Sequence, residues 1–336
     1  MKNLNRKRLW GKRSVAFFAL LFFMLFSVSC GKETEPVAKE QHQEEGSEEE
    51  FVEKWQEGTV FHNGKSYRYD SGIKTYLFLG IDKDGKVEPV PDGIDGGQSD
   101  ALFLLVVDEK EGKQSLIKIH RNTMTEVEVY DEDGTDLGPQ RRQICLQHGY
   151  GDGARLSCIR TKDAVEHLFY GIPIKGYLAM NMGGIRILND AVGGVTLTVL
   201  EDVSAPDLGV ELKAGDTVTL NGDEAYAYLR KRDTSEFDSA TGRMERQGDY
   251  LKELIPMLQG MGKSKANEVL EELDDYVVSD IVYLDLLEET KGMEFDGDQI
   301  YEVPGETVLN GDFEEYHVDE DALYELILDV FYDETT

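Results

Sequence analysis

Thr75-Tyr76-Leu77-Phe78-Leu79-Gly80-Ile81, echoed further on by Ala101-Leu102-Phe103-Leu104-Leu105-Val106-Val107, decides the architecture of this chain. Both runs are short and almost continuously apolar, which suits central strands of a sheet covered on both faces. On the N-terminal side, residues 60–69 read as a hairpin turning at Asn63-Gly64. On the C-terminal side, residues 115–119 and 125–130 read as further strands. A helix is expected over 163–169, stopped by Gly171-Ile172-Pro173, and another over 182–192, closed by Gly193-Gly194 before a strand at 195–200. Residues 222–229 lead to a long amphipathic helix at 244–261. Shorter helices follow at 266–275, 283–289 and 319–332. Strands and helices alternate without an internal repeat. This predicts a single αβα sandwich domain with a central mixed β-sheet, running from residue 59 to 336.

The chain of 336 residues is 40% hydrophobic, enough for one large core or two modest ones. Its 67 acidic against 35 basic residues give a net charge of -32, which excludes non-specific nucleic-acid binding and a polybasic grip on a membrane. The N-terminus is the exception. Lys2, Arg6, Lys7, Arg8, Lys12 and Arg13 precede an apolar run at 15–26 and then Ser27-Val28-Ser29-Cys30-Gly31. That order resembles a bacterial lipoprotein signal over residues 1–29, with Cys30 as the lipidated anchor. Ser27 departs from the usual leucine. The alternative is a single N-terminal transmembrane helix, for which the run is short against the roughly 20 residues a span needs. Either reading places the remainder outside the cytoplasm. Residues 30–58, dominated by Glu44, Glu45, Glu48, Glu49 and Glu50, read as a disordered acidic tether.

Against this acidic background, Arg230, Lys231, Arg232, Arg243 and Arg246 crowd into seventeen residues. A guanidinium matches phosphate bidentately and stays charged, so such a cluster points to a ligand with several phosphate oxygens. The bland reading is a set of surface ion pairs worth little each.

The residues around the cluster resemble one family. Tyr76-Leu77-Phe78-Leu79-Gly80-Ile81-Asp82 with Gln98-Ser99-Asp100-Ala101 is similar to the "LLLGID … RSDTM" opening of LytR-CpsA-Psr domains. Ile119-His120-Arg121-Asn122-Thr123 resembles "IPRDT", and Asp190-Ala191-Val192-Gly193-Gly194-Val195 resembles "DALGGV". Leu220-Asn221-Gly222-Asp223-Glu224-Ala225, with Tyr228-Leu229-Arg230-Lys231-Arg232, is similar to "LNGEQALAYVRxR", and Gly242-Arg243-Met244-Glu245-Arg246-Gln247 to "GRxxRQ". Six motifs in register are specific where one would not be.

The resemblance implies an extracytoplasmic phosphotransferase that moves an anionic glycopolymer from a polyprenyl pyrophosphate carrier to peptidoglycan. It also implies an apolar pocket for the prenyl tail and a Mg²⁺ ion held by aspartates. On this basis Arg121, Arg230, Arg232 and Arg243 form the charge clamp, with Arg246 and Gln247 as further substrate contacts. Asp100 and Asp238 are the expected metal ligands, and Asp238 the expected base. Three positions depart from the pattern. Ala240 stands where the family has an aspartate, leaving Asp238 or Asp233 to replace it; Asn122 replaces the aspartate after Arg121; His120 replaces a proline. Cys145 and Cys158 are expected either as a disulfide or as two buried thiols, with a metal site including His148 as a third option. Two other functions stay open: a non-catalytic binder of polyprenyl lipid or glycopolymer, and a lipid pyrophosphatase.

Overall fold

A computed structural model describes residues 58–90 and 95–335. The expected signal peptide, Cys30 and nearly all of the acidic tether lie outside the described residues.

Strands β1 (Thr59–His62) and β2 (Lys65–Tyr69) form the expected hairpin, with Asn63 at φ 48° and Gly64 at φ 80°. Then β3 (Ile73–Ile81), β4 (Ser99–Asp108) and β5 (Lys113–Ile119) form an antiparallel meander at the centre of a six-stranded sheet. β6 (Met124–Tyr130) pairs with β7 (Asp136–Gln143) outside that sheet. β8 (Gly176–Asn181) returns parallel to β3. The short pairs β9 (Thr196–Thr198) with β12 (Thr217–Thr219), and β10 (Val203–Ala205) with β11 (Val210–Leu212), form a side lobe. β13 (Val277–Ser279) and β14 (Glu294–Glu302) close the two edges, giving the order β13-β8-β3-β4-β5-β14. The β15 (Gly305–Asn310) and β16 (Phe313–Val318) hairpin follows, and β17 (Tyr332–Thr335) joins β2. The central sheet is mixed, as expected.

Period-two alternation along β3 and β4 sorts the apolar side chains between the two faces. Leu77, Leu79, Ile81, Leu102, Leu104 and Val106 pack on one face in a cluster shared with the helices Arg155–Leu168 and Glu320–Phe331. Tyr76, Phe103, Leu105 and Val107 pack on the other with Ile255 and Leu286, from the helices Ser239–Gln259 and Tyr283–Glu289. This is the sandwich that uninterrupted apolar strands require.

Several helix boundaries differ from the expectation. The Arg155–Leu168 helix starts eight residues before the expected 163, because Arg155, Arg160 and Lys162 interrupt the apolar pattern of its first half. The helix expected at 244–261 starts at Ser239, so Arg243 belongs to its second turn. Residues 222–230 form a helix with a capping box: the Asn221 side chain accepts from the backbone of Asp223 and Glu224, and Glu224 reaches back to Asn221. β7, β8 and β10 to β17 were not expected. Most are three to six residues long, and the surface hairpin β15–β16 has no continuous apolar run to announce it.

Leu104 is fully buried at the centre of β4. Leu104→Ala is expected to lower unfolding stability by about 3 kcal/mol, read from the denaturation midpoint at unchanged slope.

Candidate active site

The site grows from an irregularity where β3 meets β4. Gly80 pairs with Ala101 but Ile81 pairs with Ser99, so Asp100 is the extra residue of a β-bulge. Strict alternation would send Asp100 to the same face as Leu102 and Leu104. The bulge instead aims it into the opposite face, among residues lining a large cavity. Asp100 also lies opposite Arg121, in continuation of the β4–β5 register. Its Oδ1 is 2.7 Å from Arg121 Nε, and its Oδ2 accepts from Arg243 Nη1 at 2.7 Å. Burial raises the Asp100 carboxyl, but the Arg243 and Arg121 guanidinia outweigh it and hold its pKa below the usual carboxylate range.

The loop before β4 is fastened from two sides. Asp82 Oδ1 accepts from the Gln98 amide at 2.7 Å, and His148 Nδ1 lies 3.0 Å from the Gly97 carbonyl. Gly97 has φ 77°, and a Cβ there would lie 2.9 Å from Asp82 Oδ1, so glycine is required. Gln98 Oε1 then accepts from Arg121 Nη2, and Asn122 Oδ1 accepts from Arg121 Nη1 at 3.0 Å. The Asn122 amide therefore holds Arg121 without adding a charge. His120, in place of the family proline, is buried and stacked on Tyr316 with ring centroids 4.6 Å apart; burial pushes its pKa down to about 4.

The other arginines separate by role. Arg230 is exposed at the cavity mouth, its Nη1 donating to the Tyr226 hydroxyl at 3.0 Å while that hydroxyl donates to Asp84. Arg232 donates to Ser239 Oγ and to Glu314 Oε2, each at 3.1 Å. Arg246 turns away from the cavity and is spent on structure. It donates to the carbonyls of Tyr228 and Lys231 and to Glu201. Gln247, one turn after Arg243, lines the cavity with it. Buried Nη2 of Arg243 has no hydrogen-bond partner, nor has Nε of Arg121 in hydrogen-bonding geometry. The Arg243 donor, on a side chain that lines the cavity, is suited to an anion.

The cavity holds about 450 Å³ between the sheet and the covering helices. Its floor is Phe78, Ala101 and Phe103, and its roof includes Leu254, Val269 and Leu270. Asp100, Arg230, Arg243 and Gln247 give it a polar character toward β4, and Asp274 and Ser279 add polar groups elsewhere in the lining. Sequence reasoning could not separate these apolar residues from ordinary core.

Asp238 begins the arginine helix at φ 60°, with Oδ1 accepting from Thr241 at 2.7 Å and Thr307 at 2.6 Å. Among the described residues no three His, Cys, Asp or Glu side chains are grouped to hold a metal. Asp82 is the acid that sequence reasoning passed over: burial and the neighbouring Asp100 charge raise its pKa. Its place in the "GID" motif was the available signal.

The two cysteines are free and buried, which is the buried-thiol alternative rather than the disulfide. Cys145 Sγ lies 3.8 Å from Gln98 Oε1 and Cys158 Sγ 3.8 Å from His148 Nε2, so each thiol faces its own neighbours. Burial pushes them up to about 11 and about 12, so both stay protonated and unreactive at neutral pH.

An α/β sandwich whose apolar cavity opens on an arginine–aspartate cluster has a site suited to an amphiphilic anion. The LytR_cpsA_psr family profile matches residues 23–327, and the chain belongs to that family. A polyisoprenyl-teichoic acid–peptidoglycan teichoic acid transferase, TagU, of Enterococcus faecalis is 27% identical over 213 residues, covering 62% of each chain. The TagU of Halalkalibacterium halodurans is 31% identical over 186 residues, covering 55% of this chain and 56% of the relative. The chain thus spans about three fifths of the length of the curated relatives it matches. Among solved structures, B. subtilis TagV superposes with a TM-score of 0.60 at 23% identity, covering 78% of this chain and 96% of that one. TagT bound to LI-WTA superposes at 0.57 and 19% identity, covering 77% and 90%. These structures share the fold.

Asp100→Asn is expected to cost about 2 kcal/mol at pH 7, because two guanidinia lose their shared charge while the site is only partly open to water. The native pKa of Asp100 is depressed, so its contribution is complete above the unfolded value of about 3.9 and is lost as pH falls through the lower folded value. Denaturation series should show the stability gap constant from pH 7 to near pH 5 and closing below about pH 4.

Proposed function

We propose that this protein is an extracytoplasmic phosphotransferase that moves an anionic glycopolymer from a polyprenyl pyrophosphate carrier onto peptidoglycan, working at the membrane from a lipid anchor at Cys30. One observation carries the reading: a single cavity is apolar along its length and arginine-lined at its mouth, matching a ligand that is a hydrocarbon tail ending in pyrophosphate. The names of the curated relatives support the same chemistry.

The prenyl chain would occupy the space between Phe103 and Leu270, and the pyrophosphate would lie against Arg230, Arg243 and Arg121. A glycan hydroxyl attacks the phosphorus nearer the glycopolymer, the bond from that phosphorus to the bridging oxygen breaks, and polyprenyl phosphate leaves. Charge developing on the leaving phosphate is met by guanidinia already in place, so little reorganisation is needed. Asp238, the expected base, is occupied by two threonine hydroxyls, so the proton of the attacking hydroxyl would leave on a phosphate oxygen of the departing carrier. The donor set fits Mg²⁺ at Asp82 and Asp100 rather than at Asp100 and Asp238. Asp82 and Asp100 lie at adjacent strand ends, near enough for the Asp100 charge to raise the Asp82 carboxyl. Two carboxylates completed by substrate phosphate and water are a usual Mg²⁺ arrangement. When bound, the ion would supply further neutralisation of the phosphate charge.

With the full chain in detergent and a prenyl pyrophosphate substrate, prenyl phosphate release should require Mg²⁺. Arg243→Ala should lower kcat/KM by about 100-fold or more. Leu270→Trp, which fills the cavity, should raise KM about tenfold with little change in kcat. Tight binding of the lipid without turnover under any divalent ion would make the protein a binder and sink the transferase reading.

A further inference from the structure

A second concavity begins where the arginine cluster ends. It encloses about 880 Å³, and Gln98, Arg121 and Asn122 on its floor also belong to the cluster around Asp100. One wall is the loop after Arg232, carrying Glu236 and Phe237; the other includes the β15–β16 hairpin, carrying Asp312 and Phe313. Glu314 ties these walls together, its carboxylate accepting from Arg232 Nη2 at 3.1 Å and from the Asp238 amide at 2.7 Å. Thr307 adds a hydroxyl bond to Asp238 at 2.6 Å. The groove is therefore a braced part of the fold.

Two features of its lining are unlike those of the apolar cavity. Phe237 and Phe313 are 58% and 72% exposed, a large apolar investment facing water. The charges oppose an anionic occupant. Arg232 is paired with Glu314 and Arg121 would face the pyrophosphate, which leaves Arg142 against Glu236, Asp312 and Glu315. A polyanion would meet net repulsion here. An uncharged sugar chain would not: its ring faces pack on phenyl groups, and its hydroxyls donate to carboxylates and amides.

We propose that this groove is the acceptor subsite, holding an uncharged pyranose oligosaccharide against Phe237 and Phe313 with one hydroxyl directed at Arg121. The inference rests on the transferase reading for the word acceptor, and on the groove alone for the ligand class. Donor and acceptor then approach the arginines from opposite sides: tail and pyrophosphate from the cavity, neutral glycan from the groove. The acidic rim turns a second anionic polymer away from the acceptor side.

The test uses the full chain in detergent and an uncharged β-linked N-acetylhexosamine tetrasaccharide, titrated without donor and followed by NMR. The wild type should bind it, and the Phe237→Ala/Phe313→Ala double variant should bind about tenfold more weakly. Phe313→Trp should restore binding. Both phenyl groups are exposed, so an unchanged melting temperature is the check on folding, and prenyl pyrophosphate affinity should stay within about twofold. Asp312→Lys with Glu236→Lys should admit a glycerol-phosphate oligomer that the wild type rejects. Failure of the wild type to bind the tetrasaccharide, equal binding by the double variant, or stronger binding of the phosphate oligomer by the wild type would each overturn the proposal. If phenylalanine-dependent binding is found without any transfer, the groove assignment stands and the transferase reading falls. If transfer occurs with an acceptor KM indifferent to both phenylalanines, the reverse holds.

Discussion

Two guanidinia do not settle side by side in a half-buried site unless something negative lies between them. Here that is Asp100, with one oxygen 2.7 Å from Arg121 and the other 2.7 Å from Arg243. At an effective dielectric of 20, unit charges 4 Å apart interact by about 4 kcal/mol, so one carboxylate offsets a large repulsion. Its position depends on a single surplus residue in β4. Without the bulge, Asp100 would point into the packed face with Leu102 and Leu104, and Arg121 and Arg243 would have no common partner.

Much of the remaining structure serves that placement. Asp82 and His148 pin the loop that leads into β4, and Gln98 and Asn122 hold the far side of Arg121. Arg246 anchors the Ser239–Gln259 helix to the carbonyls of Tyr228 and Lys231, fixing the register at which Arg243 and Gln247 meet the cavity. The second motif arginine is thus a positioning residue. Charge elsewhere is consistent with this economy: a chain of net charge -32 concentrates guanidinia where phosphate would be handled.

The central sheet was legible because β3 and β4 are apolar on both faces, and the hairpin at Asn63-Gly64 because its turn needs residues that accept positive φ. The arginine cluster was legible from its spacing in the sequence, although only Arg121 and Arg243 meet at Asp100 while Arg232 pairs with Glu314. What could not be read was three-dimensional by nature. Nothing local distinguishes Arg246 from Arg243, because the choice between carbonyl and cavity is made by a rotation of about 300° along the helix. The cavity was invisible because Leu254 and Leu270 obey the same periodicity whether or not a void lies beneath them. The choice between a disulfide and two buried thiols stayed open for a related reason: loop spacing says how far apart Cys145 and Cys158 are in sequence, not that Gln98 and His148 stand beside them. The β15–β16 hairpin, which supplies half of the second groove, is too polar to announce a strand.

The central claim is that one continuous site takes a hydrocarbon tail and a pyrophosphate together. A crystal structure of the protein with a short prenyl pyrophosphate tests it most directly. The account predicts the chain between the sheet and the Lys263–Leu273 helix, with phosphate oxygens on Arg230 and Arg243 and Asp100 still between Arg121 and Arg243. A structure with the pyrophosphate on other residues, or with the apolar cavity empty while the headgroup is bound, would contradict it.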